Sequence, residues 1–147
     1  MTRRIHPVAG ALALLLITTF WSATLVSELL LGPAQVVAVK RAIPWGLLLL
    51  IPAMAATGGS GFRLAGGRRQ GLLGVKARRM QVIAANGLLV LVPMALLLAQ
   101  RAGAGRFDAT FYTLQAVELL AGAVNITLLV LNMRDGLRMT RVRRARA

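Results

Sequence analysis

Cysteine is absent from all 147 residues, which excludes disulfide exchange, thiolate metal sites and iron–sulfur clusters. Histidine occurs once, as His6. No nucleophile–base–acid set can be assembled around one histidine at one end of the chain, so hydrolytic chemistry has no support. Acidic residues number four against eighteen Lys and Arg. A dicarboxylate metal site would need Glu28 and Glu118 to converge without histidine, a poor set for a transition metal. Aromatics make up 5% of the chain, and none interleaves with the basic C-terminal run. The net charge of +14 therefore lacks the stacking partners of a single-strand nucleic-acid binder, and no nucleic-acid partner is expected.

What the chain has in quantity is apolar surface: 57% of its residues are hydrophobic and the mean hydropathy is +0.70. Four segments nearly free of charge, about 7–31, 42–62, 80–100 and 110–133, stand between basic clusters. Each has about the 20 residues that cross a hydrocarbon core of about 30 Å. The expected fold is an all-α membrane protein, an antiparallel four-helix transmembrane bundle forming one domain, with 134–147 as a basic cytoplasmic tail. The first segment is about twice the length of a signal-peptide core, and no small-x-small site closes it, Ser22-Ala23-Thr24 coming nearest.

With the N-terminus assigned to the cytoplasm, the inner side holds Arg3, Arg4, Arg63, Arg68, Arg69, Lys76, Arg78, Arg79, Arg134, Arg138, Arg141, Arg143, Arg144 and Arg146. The outer side holds Lys40, Arg41, Arg101 and Arg106. Fourteen against four is a strong positive-inside bias and predicts both termini in the cytoplasm of a bacterial inner membrane. The inner charge would also attract anionic lipid headgroups.

Helix-start and helix-stop signals refine the picture. Pro7 suits a first helical turn and Gly32-Pro33 a stop. A ten-residue outer loop is expected over 32–41 and a long inner loop over 58–74. The inner loop is Gly-rich and basic, but it lacks the strand–loop–helix context and the Gly-Lys-Ser/Thr ending of a phosphate-binding loop. Pro52 is expected to kink the second helix.

The most specific pattern lies in the last span. Gln115, Glu118, Gly122, Asn125 and Asn132 form one polar and small stripe, with Leu129 completing the seam. Glu118, Asn125 and Asn132 are a heptad apart, so they drift by only about 20° per repeat on a straight helix. Such a stripe must face protein or a wet cavity, and an intramembrane glutamate is a functional-site hypothesis by default. The plainer role is interhelical glue, with Glu118 reaching toward Lys40, Arg41, Arg101 or Arg106. A sparser line, Gln81, Asn86, Pro93 and Gln100, marks the third helix, and Glu28 is expected in an ion pair at the outer interface.

His6 and Lys76 fall at the inner mouths of helices 1 and 3. In those two positions and the four-span plan, the chain resembles small four-helix membrane haem proteins. There a histidine near the start of helix 1 is an axial ligand and a lysine in a later helix is implicated. The resemblance implies haem as cofactor, with His6 and Lys76 as candidate ligands. The further histidines of such families are missing, which removes any bis-histidine site.

Three functions follow as expectations. The first is a non-catalytic accessory or assembly subunit, in a homo-oligomer or a larger membrane complex. The second is an oligomeric proton- or ion-coupled transporter or channel using Glu118. The third is a haem- or quinone-binding redox protein using His6.

Overall fold

The computed structural model describes residues 2–66 and 70–145, with side chains over 5–66 and 70–139. Arg68, Arg69 and Arg146 lie outside the described residues, as do the side chains of Arg3, Arg4, Arg141, Arg143 and Arg144. The described chain is all-helical: α1 (Thr2–Leu30), α2 (Pro33–Ala65), α3 (Gly71–Gly103) and α4 (Ala109–Ala145). All four are long and apolar enough to cross a membrane. Their outer surfaces suit hydrocarbon: Leu30, Trp45 and Leu89 are each 75–76% exposed. In water such side chains would be a large penalty, whereas lipid tails solvate them.

The helices run further than the hydropathy segments, and the reasons are local. α1 and α2 are separated by Leu31 and Gly32 alone, because Pro33 occupies the first turn of α2, where its missing N–H costs nothing. The expected outer loop 32–41 is therefore helical from Pro33 onward, which carries Lys40 into a span. At its C-terminal end α2 continues through the glycines to Ala65 and stops at Gly66. Gly66 has φ +56°, the left-handed cap conformation that glycine adopts without a Cβ penalty, and its N–H donates to Arg63 O. α3 starts at Gly71, ahead of its basic cluster, and α4 absorbs most of the expected tail. Pro7 lies inside α1. There it removes only the bond to the carbonyl four residues earlier, in the first turn.

α3 is not a uniform α-helix. Gly71–Asn86 and Val92–Gly103 are α-helical, and Gly87–Leu91 between them is a π-turn. Val92 N–H donates to Gly87 O, five residues back, just ahead of Pro93, which has no N–H to give.

Interhelix packing is cyclic. α1 packs on α2 and α4, and α3 packs on α4 along its length and on α2 chiefly through Val92–Gly103. The diagonal pairs, α1 with α3 and α2 with α4, do not approach through their backbones among the described residues. Partner numbers run in opposite directions along neighbours: His6 meets Ser60 and Lys40 meets Thr24, while Arg79 meets Asp135 and Asn86 meets Asn125. The apolar core comprises Ala13, Ile17, Leu47, Ile83 and Leu129, with a smaller cluster of Val36, Leu98, Ala102 and Phe111 toward the α3–α4 loop.

Candidate functional site

The buried face of α2 reads Val36, Lys40, Ile43, Leu47, Leu50, Ala53, Thr57 and Ser60. Lys40 thus occupies a core position of an otherwise apolar seam, and it is 0% exposed. It lies seven residues into the helix, about 10 Å from its start. An unpaired cation there would cost several kcal/mol, and the partner is supplied across the diagonal. Lys40 Nζ forms an ion pair with Glu118 Oε2 on α4 and lies 3.5 Å from Thr24 Oγ1 on α1. Because α2 and α4 share no backbone contact, this pair links them through the bundle interior.

Gln115, one turn before Glu118, is buried and donates from Nε2 to Glu118 Oε2 at 3.3 Å. Glu28 on α1 is half-buried within electrostatic reach of both Lys40 and Glu118. Two acceptors in this group have no partner although each is shielded from solvent: Glu28 Oε1 and Gln115 Oε1. This cluster, near the α1–α2 turn, therefore contains two carboxylates, one ammonium, an amide and a hydroxyl.

The middle of the stripe does different work. Asn125, 2% exposed, donates to Ile83 O at 3.2 Å, and its Oδ1 accepts from Asn86 Nδ2 at 2.8 Å. Asn86 Nδ2 also donates to Ala121 O at 2.8 Å. The result is a reciprocal amide clasp between α3 and α4, set directly before the π-turn. Gly122 is buried beneath Trp21, where a Cβ would stand 2.9 Å from Cδ1, and Trp21 Nε1 donates to Leu119 O at 2.9 Å. The glycine is what lets the indole reach the α4 backbone.

Asn132, at the far end of the stripe, is buried, its Nδ2 donating to Lys76 O at 3.4 Å and its Oδ1 left without a partner. One turn further, Asp135 accepts from Arg79 Nη1 at 2.7 Å. Gln81 and Gln100 are exposed and join neither group.

His6 and Lys76 are seated on different helices. His6 Nδ1 is 3.1 Å from Thr57 O, an acceptor only, so Nδ1 carries the proton, and Ser60 Oγ lies 3.1 Å away. The ring packs over Gly61 of α2, whereas Lys76 Nζ packs over Gly136 of α4, each 3.0 Å from where a Cβ would stand. The two side chains rest against different helices, α2 and α4, within electrostatic reach of each other.

Sequence reasoning named Lys40 as one of four possible partners for Glu118 and Arg79 only among the inner basic residues, and it did not name Asp135. For Lys40 a signal was available: the 4-3-4 spacing of Val36, Lys40, Ile43 and Leu47 places it on the buried face. It was obscured by assigning 32–41 to a loop. Compared with family models, curated proteins and solved structures, the chain matches none.

Proposed function

We propose that the chain is an antiparallel four-helix bundle of the bacterial inner membrane, with both termini cytoplasmic, acting as a non-catalytic accessory or assembly subunit. The bias of Lys and Arg between the two ends supports the orientation, and the opposed order of partner residues supports the arrangement. The observation that carries the functional reading is on α1. Leu15, Thr18, Thr19, Ser22, Ala23 and Val26 line a shallow open groove on the exposed side of its C-terminal half. Hydroxyl and small side chains facing lipid gain nothing from hydrocarbon. Between helices they permit close approach and hydrogen bonding. The interior polar groups are largely hydrogen-bonded within the bundle, so this groove is the face left for a partner's transmembrane helix.

Native mass measurement after mild-detergent extraction tests the proposal. The expected result is a complex heavier than one chain, weakened by Thr18→Leu with Ser22→Leu; its mass separates self-association from a larger partner. Recovery as a lone monomer from lipid-retaining extraction overturns it. A second reading, proton- or ion-coupled transport by an oligomer, is favoured by the buried Lys40–Glu118 pair. On that reading Glu118→Gln abolishes pH-dependent flux in proteoliposomes, and unchanged flux removes it.

A further inference from the structure

The outer cluster is unbalanced in two independent ways. Its charges are two carboxylates, Glu28 and Glu118, against one ammonium, Lys40. The other ionised groups nearby do not correct this. Arg41 on α2 and Arg106 in the α3–α4 loop are exposed, and Arg101 of α3 is bound to Asp108 at 3.0 Å. Neither α1 nor α4 brings a further charge to this end among the described residues. One positive charge is missing, and where the cluster is shielded from water that deficit is costly.

The hydrogen-bond inventory shows the second imbalance. Glu118 Oε2 is oversupplied, accepting from both Lys40 and Gln115. Glu28 Oε1 and Gln115 Oε1 are buried acceptors with no donor at all. Gln115 is 4% exposed, so water from bulk does not serve it, and its amide head is held in the cluster by the bond to Glu118. The α1–α4 register puts the two orphans at the same end of the bundle. Trp21 bonds Leu119, Glu28 is two turns beyond Trp21, and Gln115 is one turn before Leu119 on the opposed helix. The cluster lacks one donor and one positive charge. A single proton supplies both.

We propose that Glu28, Lys40, Gln115 and Glu118 form a binding site for one proton, carried on the Glu28 carboxyl and donated to Gln115 Oε1. Uptake is a simple association: a proton from the outer aqueous phase adds to the Glu28 carboxylate, and no other bond breaks. Glu28 lies two residues from the end of α1, beside the exposed Leu29, Leu30 and Leu31, which places the entry at the headgroup level. Lys40 sets the affinity, since its positive charge stands against a proton added to the cluster. Binding requires no flux, so the site stands apart from the transport reading.

The test is infrared spectroscopy of the full chain in phosphatidylethanolamine–phosphatidylglycerol vesicles, titrated with pH in H2O and D2O at fixed salt. The expected result is one carboxylic C=O band, sensitive to deuterium, that vanishes as pH rises. It is absent in Glu28→Gln, and in Glu118→Gln, where Lys40 is left to pair with Glu28, it is confined to lower pH. Lys40→Met moves its midpoint upward by about one unit or more, the usual effect of removing an opposite charge. Should Lys40→Met fail to fold, Glu28→Gln still decides. Its amide N–H replaces the proposed O–H, so its thermal midpoint at neutral pH equals or exceeds that of the parent and loses the part of the pH dependence that Glu28 contributes. A protonated band that persists in Glu28→Gln overturns the assignment, and so does a band displaced by sodium at constant pH, which marks a metal-cation site.

Discussion

Asn125 ties α4 to two points on α3, and its value is best isolated with Asn86. Both residues bond each other and a backbone carbonyl of the facing helix. A double-mutant cycle of Asn125→Ala and Asn86→Ala, read by reversible detergent unfolding, should give a coupling of about 0.6–2 kcal/mol, the range for polar contacts between membrane helices. Coupling near zero would mean that each amide serves only its backbone partner. Asp108, in the α3–α4 loop, works in water by contrast. Its Oδ1 accepts from Phe111 N–H at 2.9 Å, capping the first turn of α4, and Arg101 binds both carboxylate oxygens. These contacts, the backbone N–H of Phe111 foremost, hold its carboxyl below the ordinary aspartate value. A depressed folded value stabilises above the unfolded pKa and is lost as pH falls through the folded one. The melting temperature should therefore drop in that acidic window, and Asp108→Ala should remove that part of the drop while lowering the plateau at neutral pH. Asn125 was legible as a polar residue on a repeating face. Lys40 was not, because a lysine near a Gly-Pro pair reads as a loop residue until the helix is seen to restart immediately at Pro33.

Two glycines set how closely the helices approach. A Cβ on Gly46 of α2 would stand 2.3 Å from Phe20 Cζ, and one on Gly122 of α4 would stand 2.9 Å from Trp21 Cδ1. Phe20 and Trp21 are neighbours on α1, so one short stretch of that helix wedges toward both adjacent helices. Gly46→Ala should destabilise by about 1–3 kcal/mol, the usual cost of overpacking, and Phe20→Leu in the same chain should recover much of the loss. No recovery in an unfolding assay would show that the ring already yields. The existence of all four helices was readable from hydropathy, since length and charge exclusion are strong signals. Their ends were not. Hydropathy reports the thickness of hydrocarbon, whereas a helix persists into the headgroup layer for as long as its backbone bonds are made. The glycine-rich 58–65 stretch shows this: each glycine costs about 1 kcal/mol of propensity, yet α2 ends only where Gly66 adopts the left-handed cap.

At the scale of the molecule, the absence of cysteine makes topology directly testable. Ala104→Cys lies in the α3–α4 loop and Gln70→Cys just before α3. In intact cells a membrane-impermeant maleimide should label the first, and the second only after permeabilisation. The reverse pattern would invert the orientation proposed from charge. Sequence pattern carried the number of spans and the inward placement of the amide stripe, because both follow from what lipid will not solvate. It did not carry which helices meet across the diagonal, since that depends on how four cylinders are arranged around one another. The π-turn of α3 bears on the same arrangement. It holds the equivalent of one extra residue, so deleting one between Gly87 and Leu91 would rewind α3 into a single α-helix and swing its far half by about 100° relative to the near half. Asn86 could then keep its clasp, or Leu98 and Ala102 their seats in the core, but not both. That one residue of slack works as a swivel: either half of α3 can be fitted to its own neighbours without dragging the other out of phase.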